Sequence, residues 1–194
     1  MNHFLALRLD DAPRDRLATL AERFRSWDLP ARWVHPDDYH LTLLFLGGLD
    51  ADEERSVPYA IDDMARTLVA PTLRLAGLGA FGGRTEPRVV YAACTDAQGD
   101  CASAHRGLAE CMDLPATAAF QPHVTLCRPT TAAPGHRSRG DWYRFLEANG
   151  QAEWGPCPTT HLVLYRSTDR RPRYEAVASW ELCRPGEDRT ARSA

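Results

Sequence analysis

The chain has 194 residues, of which 44% are hydrophobic and 25% are charged, and its formal net charge is −3. These values are typical of a globular protein with one sizeable domain or two small lobes. The net charge argues against a protein that coats long nucleic acid with a broad basic surface, but not against one that handles a short nucleotide end. All 23 basic residues are Arg, so a single Arg is weaker evidence for phosphate binding than in a mixed chain.

The sequence indicates neither a membrane segment nor a metal site. No stretch approaches the roughly 20 apolar residues that span a bilayer. Residues 3–9 already read as a strand, without the basic, apolar and small-residue order of a secretory signal. We therefore expect a cytoplasmic monomer with no membrane partner. The six Cys include no CxxC pair and no zinc-like Cys/His spacing, so we expect free thiols, no metal and no cofactor.

Strands and helices alternate in the first half of the chain. A strand, a helix, a short strand, a longer strand and a second helix are predicted at residues 3–9, 13–24, 32–34, 39–47 and 52–68. Both helices have apolar residues at helical spacing. Asp10 or Asp11 can cap the first helix, and Asp50 or Asp52 can cap the second.

The second half repeats this alternation. A third helix is predicted after Asp100, with His105 on its solvent side. The other elements are predicted as strands at 72–81, 88–94 and 120–128, an exposed flexible loop at 129–140, a short helix at 141–148, and a hairpin of strands at 161–167 and 174–182.

Two short motifs of the same form stand out in the sequence. They are HLTL at residues 40–43 and HVTL at residues 123–126, 83 positions apart (123 minus 40). Successive side chains of a strand point to opposite faces, so the His and Thr of each motif share one face. By the same rule Leu41, Leu43 and Phe45 share the opposite face. Either motif alone would be an ordinary strand His, but the repeat predicts a common site.

The recurrence of strand, helix and motif strand in both halves indicates an internal duplication. We predict an α+β fold with two pseudo-symmetric lobes of antiparallel sheet, helices packed outside, and a central cleft that carries both motifs. Residues 1–184 are expected to form this single bilobal domain, and residues 185–194 a flexible tail.

Two His and two Thr side chains suit chemistry at phosphorus. An unperturbed His has a pKa of about 6.5, so one imidazole can accept a proton from an attacking oxygen while the other donates one to the departing oxygen. Thr hydroxyls can hold the other phosphate oxygens. Arg128 lies on the face opposite His123 in a regular strand, and can contact phosphate only if the backbone bends near Pro129. Near the motifs only Asp37 and Asp38 offer carboxylates, which does not match a two-metal site.

The sequence resembles the 2H phosphoesterases, which are named for two HxT motifs, and within them the LigT/ThpR group of 2′-5′ RNA ligases or RNA 2′,3′-cyclic phosphodiesterases. The resemblance runs from Phe4 to about Leu182. The segments that carry it are RWVHPDDYHLTLLFLGGLD, GLGAFGGRTEPRVVYAAC, FQPHVTLCR and LVLYRSTDRRPRYEAVASWEL. It departs from the family at Gln121, where Arg or His is common, and at Tyr91, where many members have Trp.

The resemblance implies roles for five residues. His40 would be the general acid that protonates the leaving ribose oxygen, and His123 the general base that activates water. Thr42 and Thr125 would bind the phosphate, assisted by Arg128. The implied reaction is metal-independent hydrolysis of a 2′,3′-cyclic phosphate, on an RNA 3′ end or a small nucleotide, to a 2′-phosphomonoester.

Two other interpretations stay open at this point. The same groups could join or cleave 2′-5′ linkages in RNA reversibly. The chain could also be a module that binds RNA ends without turnover, although the intact motifs count against that interpretation.

Overall fold

The computed structural model describes residues 1–117, 119–130 and 139–185. Most of the loop predicted at 129–140, and most of the tail predicted at 185–194, lie outside the described residues. Within these residues the helices are α1 (Asp11–Arg25), α2 (Ala51–Thr67), α3 (Asp100–Cys111) and α4 (Arg139–Asn149), with a short 3₁₀ turn at Pro36–Asp38. The strands are β1 (Asn2–Leu9), β2 (Ala31–Trp33), β3 (His40–Gly48), β4 (Leu73–Phe81), β5 (Val89–Asp96), β6 (His123–Pro129), β7 (Glu153–Pro156), β8 (Thr159–Ser167) and β9 (Tyr174–Glu181).

The described strands form two sheets. Their strand orders are β3-β1-β8-β9 and β2-β6-β5-β4-β7, and the neighbouring strands are antiparallel. Helices α2 and α3 contact β9 and β3 of the first sheet, whereas α1 and α4 contact β7 and β4 of the second. The predicted α+β class with two antiparallel sheets and outer helices is therefore confirmed. The motif strands sit differently, because β3 is an edge strand and β6 is flanked on both sides.

Each motif strand contains a β-bulge directly after its Thr. In β3, Thr42 pairs with Ala6 and Leu44 with Leu5, which leaves Leu43 as the extra residue. In β6, Thr125 pairs with Tyr91 and Cys127 with Val90, so the extra residue is Leu126. An extra residue shifts the alternation of side chains by one position. The residue five places after each His therefore points to the same side as the His.

Acidic side chains accept hydrogen bonds from the first backbone N–H groups of α2 and α3. Asp50 forms a capping box with α2, since its side chain accepts from the N–H groups of Asp52 and Glu53 while Glu53 accepts from Asp50 N–H. The prediction of a cap at Asp50 or Asp52 is thus confirmed for Asp50. In α3 the prediction of Asp100 as the cap is wrong, because Gly99 occupies that position and the carboxylate of Asp96 accepts from the first N–H groups.

His105 is buried, so its predicted solvent position is wrong. The buried stripe of α3 includes His105 and runs through Cys101, Ala104, His105, Leu108 and Ala109. Its Nδ1 lies 2.7 Å from the Leu43 carbonyl oxygen, its Nε2 accepts from Thr117 N–H, and its ring stacks on Phe120. Leu43 is the bulged residue of β3, so His105 satisfies a carbonyl that the bulge releases from the sheet.

Two further features bear on the expectations from sequence. The six Cys are free thiols, and all but Cys111 are buried. Among the helices of the described ranges, none combines the length and the apolar character that crossing a membrane requires.

Candidate active site

The two motifs line one cavity between the sheets. Its volume is about 400 Å³. The cavity brings together all five residues singled out from the sequence, namely His40, Thr42, His123, Thr125 and Arg128. Strands β3 and β6, which belong to different sheets, contact each other here. Side-chain alternation explains the arrangement, because Leu41 and Val124 point into the core while the His and Thr of each motif point out of it.

A matching hydrogen bond orients each motif imidazole. His40 Nδ1 lies 2.7 Å from the carbonyl oxygen of Asp38, and His123 Nδ1 lies 2.7 Å from that of Gln121. A carbonyl oxygen can only accept, so Nδ1 carries the hydrogen in both rings. Nε2 of each neutral ring is therefore left with a lone pair, which is the state that a general base requires.

The Nε2 atom of His40 has a neighbour on its own strand. It lies 3.1 Å from the hydroxyl oxygen of Thr42. With the hydrogen of the neutral ring on Nδ1, the Thr42 hydroxyl donates to Nε2. When His40 is protonated, Nε2 becomes a donor instead, and the hydroxyl is free to donate to another acceptor in the cavity.

Aromatic rings surround both imidazoles. The His40 ring stacks on Phe4 with 4.7 Å between centroids and meets Tyr174 edge-on at 5.0 Å. The His123 ring lies 4.9 Å from Phe81 and 5.0 Å from Tyr91. These rings limit the access of water to the imidazoles except from the cavity.

Burial shifts the proton affinity of both His residues in the same direction. It lowers the pKa of His40 to about 4, and the charges of His123 and Arg128 act in the same direction while the Asp38 carbonyl opposes it. Burial also lowers the pKa of His123, again with a contribution from Arg128. Near neutral pH, both imidazoles of the unliganded protein are therefore neutral.

The bulges decide which side chains complete the site. Arg128 reaches the cavity because the extra residue Leu126 turns it to the His123 side. The regular-strand expectation placed it on the other face, and the bend lies at Leu126 rather than near Pro129. Phe45, expected in the buried row, is 69% exposed and lines the cavity for the same reason. Two adjacent buried residues in each strand, Leu43-Leu44 and Leu126-Cys127, are the pattern that could have revealed the bulges.

Asp38 also lines the cavity and was not identified from the sequence as a site residue. Its side chain is 4% exposed. The carboxylate accepts hydrogen bonds from the backbone N–H groups of Arg173 and Tyr174, with the shortest at 2.8 Å. Its own carbonyl holds His40 Nδ1. Asp38 therefore binds both the start of β9, through Tyr174 N–H, and the imidazole of His40.

Other residues missed from the sequence come from strands outside the motifs. Phe4 on β1, Phe81 at the end of β4 and Tyr174 at the start of β9 all line the cavity. No local pattern marks them, because they reach the site only through strand pairing and the packing of the two sheets. In the part of the chain that the structure describes, no group of three or more His, Cys, Asp or Glu side chains is arranged to hold a metal ion.

Known proteins match this chain in sequence and in fold. A family model described as LigT-like phosphoesterase matches residues 7–91. An RNA 2′,3′-cyclic phosphodiesterase of Geobacillus stearothermophilus is 29% identical over 97% of this chain and 60% of its own length. A protein of the same name from Aeropyrum pernix is 28% identical over 84% of this chain and 92% of its own length. The chain thus spans 60% of the length of the Geobacillus protein.

A solved structure extends the similarity to the whole fold. TT0787 of Thermus thermophilus aligns with a TM-score of 0.71 and 26% identity, covering 94% of this chain and 98% of that one. This coverage extends well beyond the residues that the family model matches. The chain is thus similar to the LigT-like phosphoesterases over residues 7–91, it is similar to RNA 2′,3′-cyclic phosphodiesterases along most of its length, and it shares its fold almost end to end with TT0787.

Proposed function

We propose that this protein hydrolyses 2′,3′-cyclic phosphates at RNA 3′ ends or on small nucleotides, and that it releases a 2′-phosphomonoester. The observation that carries the proposal is the convergence of His40 and His123 on one cavity, each with Nδ1 held by a carbonyl. The names of the relatives from Geobacillus and Aeropyrum support the substrate class.

The two imidazoles divide the proton transfers between them. His123 accepts a proton from water through Nε2 as the water oxygen attacks phosphorus. The bond between phosphorus and the ribose 3′ oxygen breaks, and His40 donates a proton to that oxygen. The ring phosphate gains one oxygen from water and becomes a 2′-phosphate, while the 3′ oxygen leaves as a hydroxyl. The protons balance, since one is removed by His123 and one is supplied by His40.

Polar side chains beside the imidazoles hold the reacting phosphate. The hydroxyls of Thr42 and Thr125 donate to its non-bridging oxygens, and Arg128 supplies a positive charge that stabilises the charge that develops on them. Thr42 can do this only after it releases Nε2 of His40, with which it interacts at 3.1 Å in the unliganded protein. Protonation of His40 and phosphate binding by Thr42 are therefore coupled.

His40 needs a bound phosphate before it can act as an acid. With a pKa of about 4, protonating it at pH 7 costs roughly 4 kcal/mol, since each pKa unit corresponds to about 1.4 kcal/mol. A negative charge about 4 Å from the ring returns a similar amount, about 4 kcal/mol at the effective dielectric of partly buried sites. The substrate's own charge thus brings its proton donor into the active state.

The test is product analysis by HPLC on a nucleoside 2′,3′-cyclic phosphate in the presence of EDTA. We expect the 2′-phosphomonoester to accumulate, and His40→Ala or His123→Ala to lower kcat by about 10²- to 10⁴-fold each. His161→Ala serves as the matched control, because His161 lies on β8 and its Nδ1 contacts the Thr160 hydroxyl.

Four results would contradict the proposal. Near-normal rates in either motif variant would remove the two-histidine mechanism. Loss of activity with EDTA would require a metal. Formation of 2′-5′-linked dinucleotides as the main product would favour RNA joining, and binding without turnover across pH would indicate a non-catalytic RNA-end module.

A further inference from the structure

A second cavity adjoins the candidate active site. Its volume is about 210 Å³. Four residues line both cavities, namely Val34, Asp38, Arg128 and Tyr174. We call the second cavity the arginine cleft, after Arg32, Arg128, Arg171 and Arg173 in its wall. Because Arg128 belongs to both walls, a group bound in the arginine cleft lies next to the group bound in the active site.

Arg32 and Arg128 face each other across two strands. They are direct partners in the antiparallel pairing of β2 with β6, and both are exposed. Side chains of directly opposed residues lie on the same face about 5 Å apart at Cβ, and like charges in this position repel. Within the described chain neither has a carboxylate within ion-pair distance to offset the repulsion. An anion bound between the two guanidinium groups would offset it.

Arg171 and Arg173 approach the cleft from the turn between β8 and β9. The position of this turn is fixed by Asp38, whose carboxylate accepts from the N–H groups of Arg173 and Tyr174. Both arginines are exposed, and the structure gives neither an ion pair among the described residues. The turn therefore supplies two further positive charges from the other sheet.

The acidic groups around the cleft are already engaged. Asp38 is buried and uses both carboxylate oxygens on backbone N–H groups. The carboxylate of Asp37 lies 3.6 Å from His35 Nδ1. Glu22 pairs with Arg25, whose guanidinium group also covers the Trp33 ring at 5.5 Å. Besides Arg25, which is paired with Glu22, four arginines of the cleft thus concentrate positive charge in a protein whose net charge is −3.

We propose that the arginine cleft binds a second phosphate of the substrate, attached to the 5′ oxygen of the same ribose that carries the cyclic phosphate. The inference rests on the proposed function and makes its substrate class more specific. Guanidinium groups match phosphate oxygens through paired N–H donors, and the cleft supplies them from both sheets. The 5′ phosphate has two chemical sources, an internucleotide linkage of RNA or a free 5′-phosphate on a nucleotide.

Three substrates separate these sources. They are adenosine 2′,3′-cyclic phosphate, its 5′-phosphorylated form, and the dinucleotide ApA with a terminal 2′,3′-cyclic phosphate. For the wild-type protein we expect kcat/KM to be about 10- to 100-fold higher for the two substrates with a 5′ phosphate, as charged hydrogen bonds contribute at this level. Equal values for both assign the preference to the phosphate itself, and a preference for the dinucleotide alone assigns it to the RNA linkage.

The variant Arg32→Gln/Arg171→Gln tests whether the second phosphate binds in the arginine cleft. It leaves Arg128 in place, so we expect kcat/KM for the dinucleotide to fall about 10- to 100-fold while the value for the mononucleotide changes less than about threefold. The matched control is Arg55→Gln/Arg106→Gln, which removes the same charge from α2 and α3. Equal losses on both substrates, the same loss in the control, or no preference in the wild type would overturn the inference.

A binding measurement keeps this test separate from the proposed function. Isothermal titration calorimetry with ApA 3′-phosphate and adenosine 3′-phosphate, at several salt concentrations, measures binding affinity and requires no turnover. We expect the dinucleotide to bind more tightly, and the slope of log K against log salt concentration to be steeper by about 0.7 per added phosphate contact. The cleft variant is expected to lose both the added affinity and the added slope. Retention of the increment in the variant would remove the cleft proposal even for an active enzyme.

Discussion

The two motif strands have the same local design but different surroundings. In both, a bulge follows the Thr, and the carbonyl of the bulged residue needs a donor from outside the motif. In β3, an edge strand, the carbonyl of Leu43 receives the side chain of His105 from α3. In β6, which has β2 beside it, the carbonyl of Leu126 receives the backbone N–H of Val34 at 2.9 Å.

The difference continues at the residue that each bulge turns toward the cavity. Five positions after the His stands Phe45 in β3 and Arg128 in β6. The two motif strands thus hold their imidazoles in the same way, whereas the residues at the fifth position make the two sides of the cavity chemically unequal. Arg128 supplies charge on one side of the cavity, and Phe45 supplies apolar surface on the other.

The largest expected effect in this comparison separates Arg128 from Phe45. Arg128→Gln removes the charge that we propose contacts the phosphate, so we expect kcat/KM to fall about 10- to 100-fold on a cyclic mononucleotide. Phe45→Ala removes apolar surface and is expected to cost about two- to tenfold. Steady-state kinetics of both variants measure the difference, and equal losses would show that the two positions do not differ as described.

The pH dependences of kcat/KM and of kcat should differ, because kcat/KM reports the free protein and kcat reports its complex with substrate. Burial lowers the pKa of His40 to about 4, so the protonated acid becomes scarce as pH rises above that value. kcat/KM, which reports the free enzyme, also requires neutral His123, so it should fall by about tenfold per pH unit only above the pKa values of both imidazoles. The bound phosphate raises the pKa of His40, so the corresponding limb of kcat should lie at higher pH. Coincident limbs would show that the substrate's charge does not act on His40.

The smallest expected effect concerns the support of the β3 bulge. His105→Ala leaves the Leu43 carbonyl and Thr117 N–H without their partner, so we expect the free energy of unfolding to fall by about 1–3 kcal/mol. Urea denaturation of this variant and of His161→Ala measures it, with less than about 0.5 kcal/mol expected for the control. If His105→Ala unfolds like the wild type, the carbonyl does not depend on this side chain.

The parts of the site that depend on the local periodicity of a strand could be predicted from the sequence. Alternation along a strand places His40 with Thr42 and His123 with Thr125, and it requires no knowledge of the partner strands. The two sheets and the outer helices also follow from the recurring order of elements. Alternation failed for Phe45 and Arg128, because a bulge depends on how two strands pair.

The remaining errors have similar physical origins. The expectation that His105 faces solvent was wrong, because His105 falls on the buried stripe with Cys101 and Leu108. Its hydrogen bonds to Leu43 and Thr117 lie far from it in sequence, so no local signal revealed them. The role of Asp38 was missed for the same reason, since its carboxylate binds backbone 135 residues away.

Asp38 links the walls of the two cavities through its hydrogen bonds. Its main chain aims the His40 ring, and its side chain holds the hairpin end that presents Arg171 and Arg173. Neither the ring nor the hairpin end can shift alone without breaking one of these bonds, at about 0.5–1.5 kcal/mol for a typical bond. The proposed binding of a second phosphate by this hairpin end would therefore act, through the hydrogen bonds of Asp38, on the residue that orients the His40 imidazole.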